Sequence, residues 1–89
     1  MWPFIDDDAG YLEWLAAHPE QFVVNTARKP HPNYLILHRA TCTFITGSPT
    51  RGTRWTGEYV KYCGGLSELQ SWALTEVGGN LQPCGHCLH

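Results

Sequence analysis

Four cysteines and a histidine form the pattern in this 89-residue sequence that is most able to do chemistry. Cys84 and Cys87 are separated by two residues, and His38 precedes Cys42 by four positions. Cys63 lies between these two groups. Cysteine thiolates and histidine nitrogens at such spacings are typical of a tetrahedral zinc site that is assembled from distant segments. The sequence therefore predicts one bound zinc ion.

The expected zinc ion is structural, because a chain of this length has only a small core. A domain near this size buries about 60–65% of the surface of its unfolded chain. A structural zinc ion contributes roughly 10 kcal/mol or more of folding free energy. Three thiolates and a fourth ligand would also close the coordination sphere and leave no position for a substrate. We expect a single zinc-binding domain over residues 1–89.

The identity of the fourth ligand is left open by the spacing. His38 and Cys42 can bind one ion from a short turn, which costs little chain entropy. Cys63 is the alternative, and it would make an all-cysteine site with His38 beside it. Either Cys42 or Cys63 could instead be a small buried hydrophobic residue. The predicted ligand set is His38, Cys42, Cys84 and Cys87, with Cys63 as the alternative fourth ligand.

Composition places the chain among globular proteins. Hydrophobic residues make up 43% of the sequence and charged residues 16%, which does not fit a disordered chain. No apolar run approaches the roughly 18 residues of a membrane span. The N-terminus has no basic segment of the kind that begins a signal peptide, so we expect a cytoplasmic protein. In that compartment cysteines are more often metal ligands than disulfides.

The charges are unevenly distributed along the chain. All six basic residues fall between positions 28 and 61, against the single acid Glu58, although the net charge of the chain is −2. This predicts a local basic face that could bind phosphates, with an indole that stacks on a base. The expected nucleic-acid contacts are Arg39, Arg51, Arg54, Trp55 and Lys61. The alternative is that these are ordinary solvated charges and that Trp55 covers the core.

Two helices and three strands are expected to position these residues. Asp8 is a candidate N-cap for a helix over 9–17, and Ser67 with Gln70 forms a capping-box pattern for a second helix to about Val77. The first helix would bury one face, which consists of Tyr11, Leu12, Leu15 and Ala16. The expected strands are 21–26, 34–38 and 58–62. The predicted fold is a small zinc-stabilised α+β domain, a few-stranded antiparallel sheet with an N-terminal and a C-terminal helix.

The order of these motifs resembles a known family. HxxxC, a strand, a helix that begins Leu-Ser-Glu-Leu, and a Pro-Cys-Gly-His-Cys knuckle are similar to the metal-binding domain of Ada-type DNA repair proteins and to small zinc modules appended to nucleases. The resemblance covers roughly residues 34–88 and implies one zinc ion and contact with DNA. In Ada-type domains one zinc-bound thiolate accepts a methyl group from DNA. That position is His38 here, so methyl transfer is not implied.

Three functional hypotheses follow. The first is a zinc-binding nucleic-acid recognition module, for DNA in particular, which works beside a larger nuclease or DNA-modification enzyme. The second is a protein-interaction module with a purely structural zinc ion, whose adhesive surface includes Trp2, Trp55 and Tyr59. The third is a thiolate methyl acceptor at Cys42 or Cys63. We find no catalytic signature in the sequence, and no membrane partner is expected.

Overall fold

A computed structural model describes residues 1–46 and 54–88 of the chain. These residues form a small α+β fold, as predicted, and short helices alternate with its strands. In chain order the elements are β1 (Trp2–Phe4), α1 (Asp8–Ala17), β2 (Phe22–Ala27), β3 (Ile36–Arg39), α2 (Thr43–Thr46), β4 (Tyr59–Gly64), α3 (Leu66–Trp72) and β5 (Gln82–Pro83). Helix α3 continues directly as a π-helix over Ala73–Val77.

The five strands form one mixed sheet in the order β1-β4-β2-β3-β5. The first four strands in that order pair antiparallel, whereas β5 pairs parallel to β3. The prediction of a purely antiparallel sheet was therefore wrong at one edge. The reason is that α3 makes a helical crossover, which returns the chain in the same direction as β4 and hence as β3. Pro83 is tolerated in β5 because this strand lies at the edge of the sheet.

Each face of the sheet is covered by a different helix. The register places Cys63, Val23 and His38 in one row across β4, β2 and β3, on the face that we call the α1 face. Tyr11, Trp14 and Leu15 of α1 pack there with Val23 and Cys63. On the opposite face, the α3 face, the buried residues are Val24, Leu35, Leu37, Leu69 and Ala73. The alternation along β3 therefore directs His38 and Leu37 to opposite cores.

Helix α1 begins one residue earlier than expected. Asp7 is its N-cap and accepts a hydrogen bond from Gly10 N at 2.9 Å. The predicted cap, Asp8, instead accepts hydrogen bonds from the backbone N–H and the hydroxyl of Thr56, at 2.9 and 2.6 Å. Among the residues expected to be buried, Tyr11 and Leu15 are in the core, whereas Leu12 and Ala16 are exposed.

Trp14 is buried instead of Leu12 and Ala16, which shows that α1 is rotated relative to the expected face.

Helix α3 also begins at a different residue from the predicted one. Gly65 is its N-cap, and the Gly65 N–H donates to Glu68 Oε1 at 3.0 Å. Ser67 therefore lies inside the helix. Leu69 and Ala73 of this helical segment are buried in the α3-face core, and Trp72 and Val77 are partly buried against it.

Gly79 allows the chain after α3 to pack closely on the segment that leads to β3. A Cβ atom at this position would lie 2.9 Å from both Cα and the carbonyl oxygen of Pro32. We predict that Gly79→Ala lowers the free energy of unfolding by about 1–3 kcal/mol, as overpacking does elsewhere. The measurement is urea unfolding followed by tryptophan fluorescence.

Gly85→Ala is the matched control, because a Cβ there would meet no atom within 4 Å. This variant should unfold within about 0.5 kcal/mol of the wild type, as surface substitutions usually do. Equal stability of the two variants would show that the close approach of Gly79 to Pro32 does not constrain the fold.

Candidate metal centre

His38, Cys42, Cys84 and Cys87 meet in one cluster. Each offers one ligand atom, and these atoms all lie within 4.8 Å of one another. Tetrahedral coordination with Zn–S bonds of about 2.3 Å and a Zn–N bond of about 2.0 Å separates ligand atoms by roughly 3.5–3.8 Å. The four residues are thus close enough to coordinate one metal ion after small side-chain adjustments.

The pairing of β5 with β3 brings the two halves of this cluster together. Cys84 follows β5 directly, and its N–H donates to the carbonyl oxygen of Leu37 at 2.8 Å, one residue before His38. On the other side, the N–H of Cys42 donates to the carbonyl oxygen of Arg39 at 2.9 Å, which forms a tight turn after β3. Helix α2 begins immediately after this turn. Strand register and turn together place the four ligand atoms.

Backbone amides point at two of the sulfur atoms. The N–H of Arg39 donates to Cys87 Sγ at 3.3 Å, and the N–H of His86 donates to Cys84 Sγ at 3.4 Å. Hydrogen bonds of this kind favour the charged thiolate and orient it towards a metal ion. The N–H of Leu88 also donates to the carbonyl oxygen of Cys84 at 2.9 Å and closes the knuckle turn.

The pKa values in the cluster follow from burial and from these amides. Burial raises the pKa of the Cys42 thiol to about 12. Burial also acts to raise the pKa of Cys84, but hydrogen bonds from the backbone N–H groups of His86 and Cys87 contribute to a net lowering. Burial, with the charge of Lys61 second, lowers the pKa of His38 to about 4. The imidazole is therefore neutral at pH 7, which is the form that binds metal ions.

One buried atom of the cluster has no partner within the described part of the chain. His38 is 5% exposed, and its Nδ1 accepts or donates no hydrogen bond there. Buried polar atoms almost always have a partner, so an orphaned ring nitrogen requires an explanation. A metal ion bound at this nitrogen would supply the missing partner. The donor set and the orphaned atom thus both fit a metal ion.

Cys63, the alternative fourth ligand, lies outside this cluster. It is completely buried in β4, opposite Val23 of β2 and Trp2 of β1. It packs in the α1-face core, and burial raises the pKa of its thiol to about 12. Of the two candidates, the structure brings His38 to the other three cysteines, while Cys63 fills the core.

Lys61, predicted to contact nucleic acid, is buried under α1. Only 6% of the residue is exposed, and its ammonium donates to Asn25 Oδ1 at 2.9 Å and to the carbonyl oxygen of Trp55 at 2.6 Å. The prediction was wrong because the alternating pattern of β4 does not reveal which side of the strand a helix covers. The ammonium also lies 5.8 Å from the centre of the Tyr11 ring.

The other basic residues are placed in different ways. Arg54 forms ion pairs with Asp6 at 3.3 Å and with Asp8 at 3.6 Å, and Arg28 pairs with Asp6 at 2.7 Å. The carboxylates of Asp6 and Asp8 thus compensate the positive charges of Arg28 and Arg54. Arg51 lies outside the described residues.

Trp55 and Arg39 complete the set of expected nucleic-acid contacts. Trp55 is partly buried and packs against the α1-face core, as the alternative interpretation had it. Arg39 is exposed beside the knuckle, where its Nε donates to the carbonyl oxygen of Cys87 at 3.2 Å. The described members of the expected basic face are thus not assembled on one surface.

An exposed aromatic pair next to the metal cluster was missed in the sequence. Phe44 of α2 is 54% exposed and stacks on His86 of the knuckle, with ring centres 4.3 Å apart and planes 10° apart. His86 Nε2 also shares a hydrogen bond with the hydroxyl of Thr43 at 3.1 Å. The only sequence signal was the position of His86 between the two knuckle cysteines.

No protein-family model matches this chain, and no curated protein or solved structure shows significant similarity to it. Within residues 1–46 and 54–88, the helices are all too short to cross a membrane. The class that the geometry supports is therefore defined by the cluster alone: a small α+β domain with a candidate metal site of one histidine and three cysteines.

The burial of Lys61 makes the stability of the fold depend on pH. Burial lowers the pKa of Lys61 from 10.5 to about 8. Between these values the unfolded chain binds more protons than the folded chain, so the free energy of unfolding rises with pH. We predict that from pH 7.5 to pH 10 the wild type gains roughly 2 kcal/mol relative to Lys61→Met.

The measurement is urea unfolding of both proteins at the two pH values, each with one equivalent of zinc. Burial raises the pKa of Cys63 and the charge of Lys61 opposes this, so the difference between the proteins reports Lys61 together with its coupling to Cys63. A difference between the proteins that does not change with pH would contradict a desolvated ammonium at Lys61.

Proposed function

We propose that this chain is a zinc-binding domain in which one Zn²⁺ ion joins the turn after β3 to the C-terminal knuckle. The observation that carries the proposal is the set of four ligand atoms within 4.8 Å. Three thiolates and an imidazole are the donors of tetrahedral structural zinc sites. Oxygen-ligated ions such as Mg²⁺ or Ca²⁺ do not suit this donor set.

The burial of the ligands supports a structural role for the ion. His38, Cys42 and Cys84 are buried, and Cys87 is partly buried. Thiolates at such positions are costly unless a cation compensates their charge. The free energy of metal binding therefore becomes folding free energy, as in other small zinc domains. Four protein ligands also leave no open position for a substrate or a catalytic water.

Metal content and ligand substitution test this proposal. We predict one zinc ion per wild-type chain by native mass spectrometry, and a loss of the ion or at least 10-fold weaker binding in His38→Ala, since second-shell changes alone cost 10–100-fold in other sites. Excess chelator should also lower the melting temperature of the wild type, because metal removal removes folding free energy.

Cys63→Ala is the control that separates a ligand from a core cysteine. It removes a completely buried sulfur atom and should lower stability by about 1–3 kcal/mol without changing the zinc stoichiometry. Zinc bound by His38→Ala as tightly as by the wild type, or lost from Cys63→Ala, would contradict the proposed ligand set.

A second proposed function is nucleic-acid recognition at the surface of the knuckle, in particular of DNA and beside a larger nuclease or modification enzyme. What supports it is the exposed guanidinium of Arg39 next to Cys87, together with the exposed Phe44–His86 stack. Cations that contact phosphates and rings that stack on bases are a recurrent combination in nucleic-acid binding. The proposed contact surface is therefore the knuckle and not the loop around Arg54.

Fluorescence anisotropy with labelled single- and double-stranded oligonucleotides at about 50 mM salt tests this second function, since weak phosphate contacts are measurable there. We predict that Arg39→Gln weakens binding several-fold and reduces the salt dependence by about one phosphate contact. Arg28→Gln is the control, because that guanidinium is already paired with Asp6. Zinc content should be the same in both variants.

Absence of binding to either oligonucleotide at low salt would contradict the nucleic-acid proposal. Equal losses in Arg39→Gln and Arg28→Gln would contradict the placement of the contact at the knuckle. Neither outcome affects the zinc proposal, which is tested by metal content.

A further inference from the structure

A cavity of about 380 Å³ opens beside the metal cluster, on the α1 face of the sheet. Two of the metal-ligand residues, His38 and Cys84, form part of its wall. The remaining lining is mostly apolar and consists of Tyr34, Ile36, Phe44, Ile45, Pro83 and Gly85, with Asn25 as the one side-chain amide. Its volume falls at the lower end of the range of about 300–1,000 Å³ that is typical of ligand pockets.

Two of the lining rings are partly exposed to solvent, and each stacks on another aromatic ring. Tyr34 is 37% exposed and stacks on Tyr59, with ring centres 5.3 Å apart. Phe44 is 54% exposed and stacks on His86 at 4.3 Å. Stacking fixes the orientation of a ring and leaves its other surface or its edge for a ligand. The pocket therefore presents two oriented aromatic groups at its walls.

Asn25 gives the pocket a defined hydrogen-bonding character. Lys61 donates to Asn25 Oδ1 at 2.9 Å, and because an ammonium only donates, the amide oxygen must face Lys61. The Nδ2 group is left with two N–H donors, and within residues 1–46 and 54–88 it has no partner. A ligand in the pocket is therefore expected to present an acceptor to Asn25.

We infer that this pocket holds one unstacked base of a single-stranded nucleic acid, with a carbonyl oxygen or ring nitrogen of the base accepting a hydrogen bond from Asn25 Nδ2. The inference rests on the proposed nucleic-acid function and names the part of the ligand that is recognised. Single strands are bound in this way because their bases are free to leave the stack and pack on aromatic side chains. Bases of an intact duplex cannot enter a cavity.

Arg39 lies on the α3 face of the sheet, opposite the pocket, where its guanidinium is 5.9 Å from the centre of the Phe22 ring. Its Nε is held by the carbonyl oxygen of Cys87, which follows His86 of the Phe44–His86 stack. A phosphate bound by this guanidinium would therefore lie on the side of the knuckle away from the pocket. Phosphate contacts supply affinity that depends on salt, while the pocket distinguishes an unstacked base from a bare backbone.

The test compares three fluorescein-labelled 12-mers at about 50 mM salt, where phosphate contacts are retained. These are a single strand of mixed sequence, the corresponding duplex, and an abasic strand that keeps the phosphates but lacks the bases. The wild type with one bound zinc ion should bind the single strand about 10-fold or more tightly than either of the others, as expected for the stacking of one base.

Two variants locate the binding to the pocket. Asn25→Asp keeps an oxygen for Lys61 but replaces the Nδ2 donor with an acceptor, and Phe44→Ala removes one ring. Each should weaken single-strand binding about 10-fold and leave abasic-strand binding unchanged. Leu74→Ala is the control, because Leu74 is also exposed, at 58%, but lies outside the lining of this pocket. Zinc content and melting temperature of all variants confirm that they are folded.

The outcomes separate this inference from the function on which it rests. If none of the three 12-mers binds, the nucleic-acid function itself is overturned. If the single strand binds no more tightly than the abasic strand, or if Asn25→Asp and Phe44→Ala bind it like Leu74→Ala, the base pocket is overturned while phosphate binding stands.

Discussion

The meeting of His38 and Cys42, at and after the end of β3, with Cys84 and Cys87, after β5, is the arrangement on which the rest of this structure depends. Strand β5 has only two residues and lies at the edge of the sheet, so two backbone hydrogen bonds to Leu35 and Leu37 cannot hold it alone. Cys84 and Cys87 follow this strand and meet His38 and Cys42. The knuckle is thus fixed by its side chains more than by its backbone.

The same cluster links stability to the proposed recognition site. His38 and Cys84 belong both to the metal cluster and to the wall of the cavity, so the position of the knuckle sets the shape of the pocket. The Phe44–His86 stack also spans from α2 to the knuckle. A change in the metal site would therefore alter the binding surface without any direct contact between ion and ligand.

The sequence predicted those metal ligands that are close together in the chain, but it left open the features that depend on how the strands pair. The two-residue spacing of Cys84 and Cys87 predicted the knuckle, but His38 and Cys63 could not be distinguished by spacing. Both side chains point to the α1 face in one row of the register, with Val23 between them. They differ in their distance from β5, because His38 is on the neighbouring strand β3 and Cys63 is on β4. The parallel direction of β5 was equally inaccessible, because it follows from the crossover of α3.

Long-range contacts also decided details that local patterns could not. The sequence predicted Asp8 as the helix cap. The Asp8 carboxylate instead accepts a hydrogen bond from Thr56, which is distant in sequence, and Asp7 is the N-cap. Lys61 looked like a surface cation in an alternating strand, and α1 covers it. The aromatic pair of Phe44 and His86 forms across two segments. Its partners could therefore be named only from the folded chain.

The topology of the sheet also constrains the order in which the chain can fold. Strand β1 pairs with β4, distant in sequence, and β3 receives its outer neighbour only from the segment that follows α3. Proteins dominated by such non-local pairings fold slowly, since loop closure precedes the contacts that compensate it. During synthesis the nascent chain would therefore expose one open sheet edge and one unpaired half-site, His38 with Cys42, until the knuckle has left the ribosome.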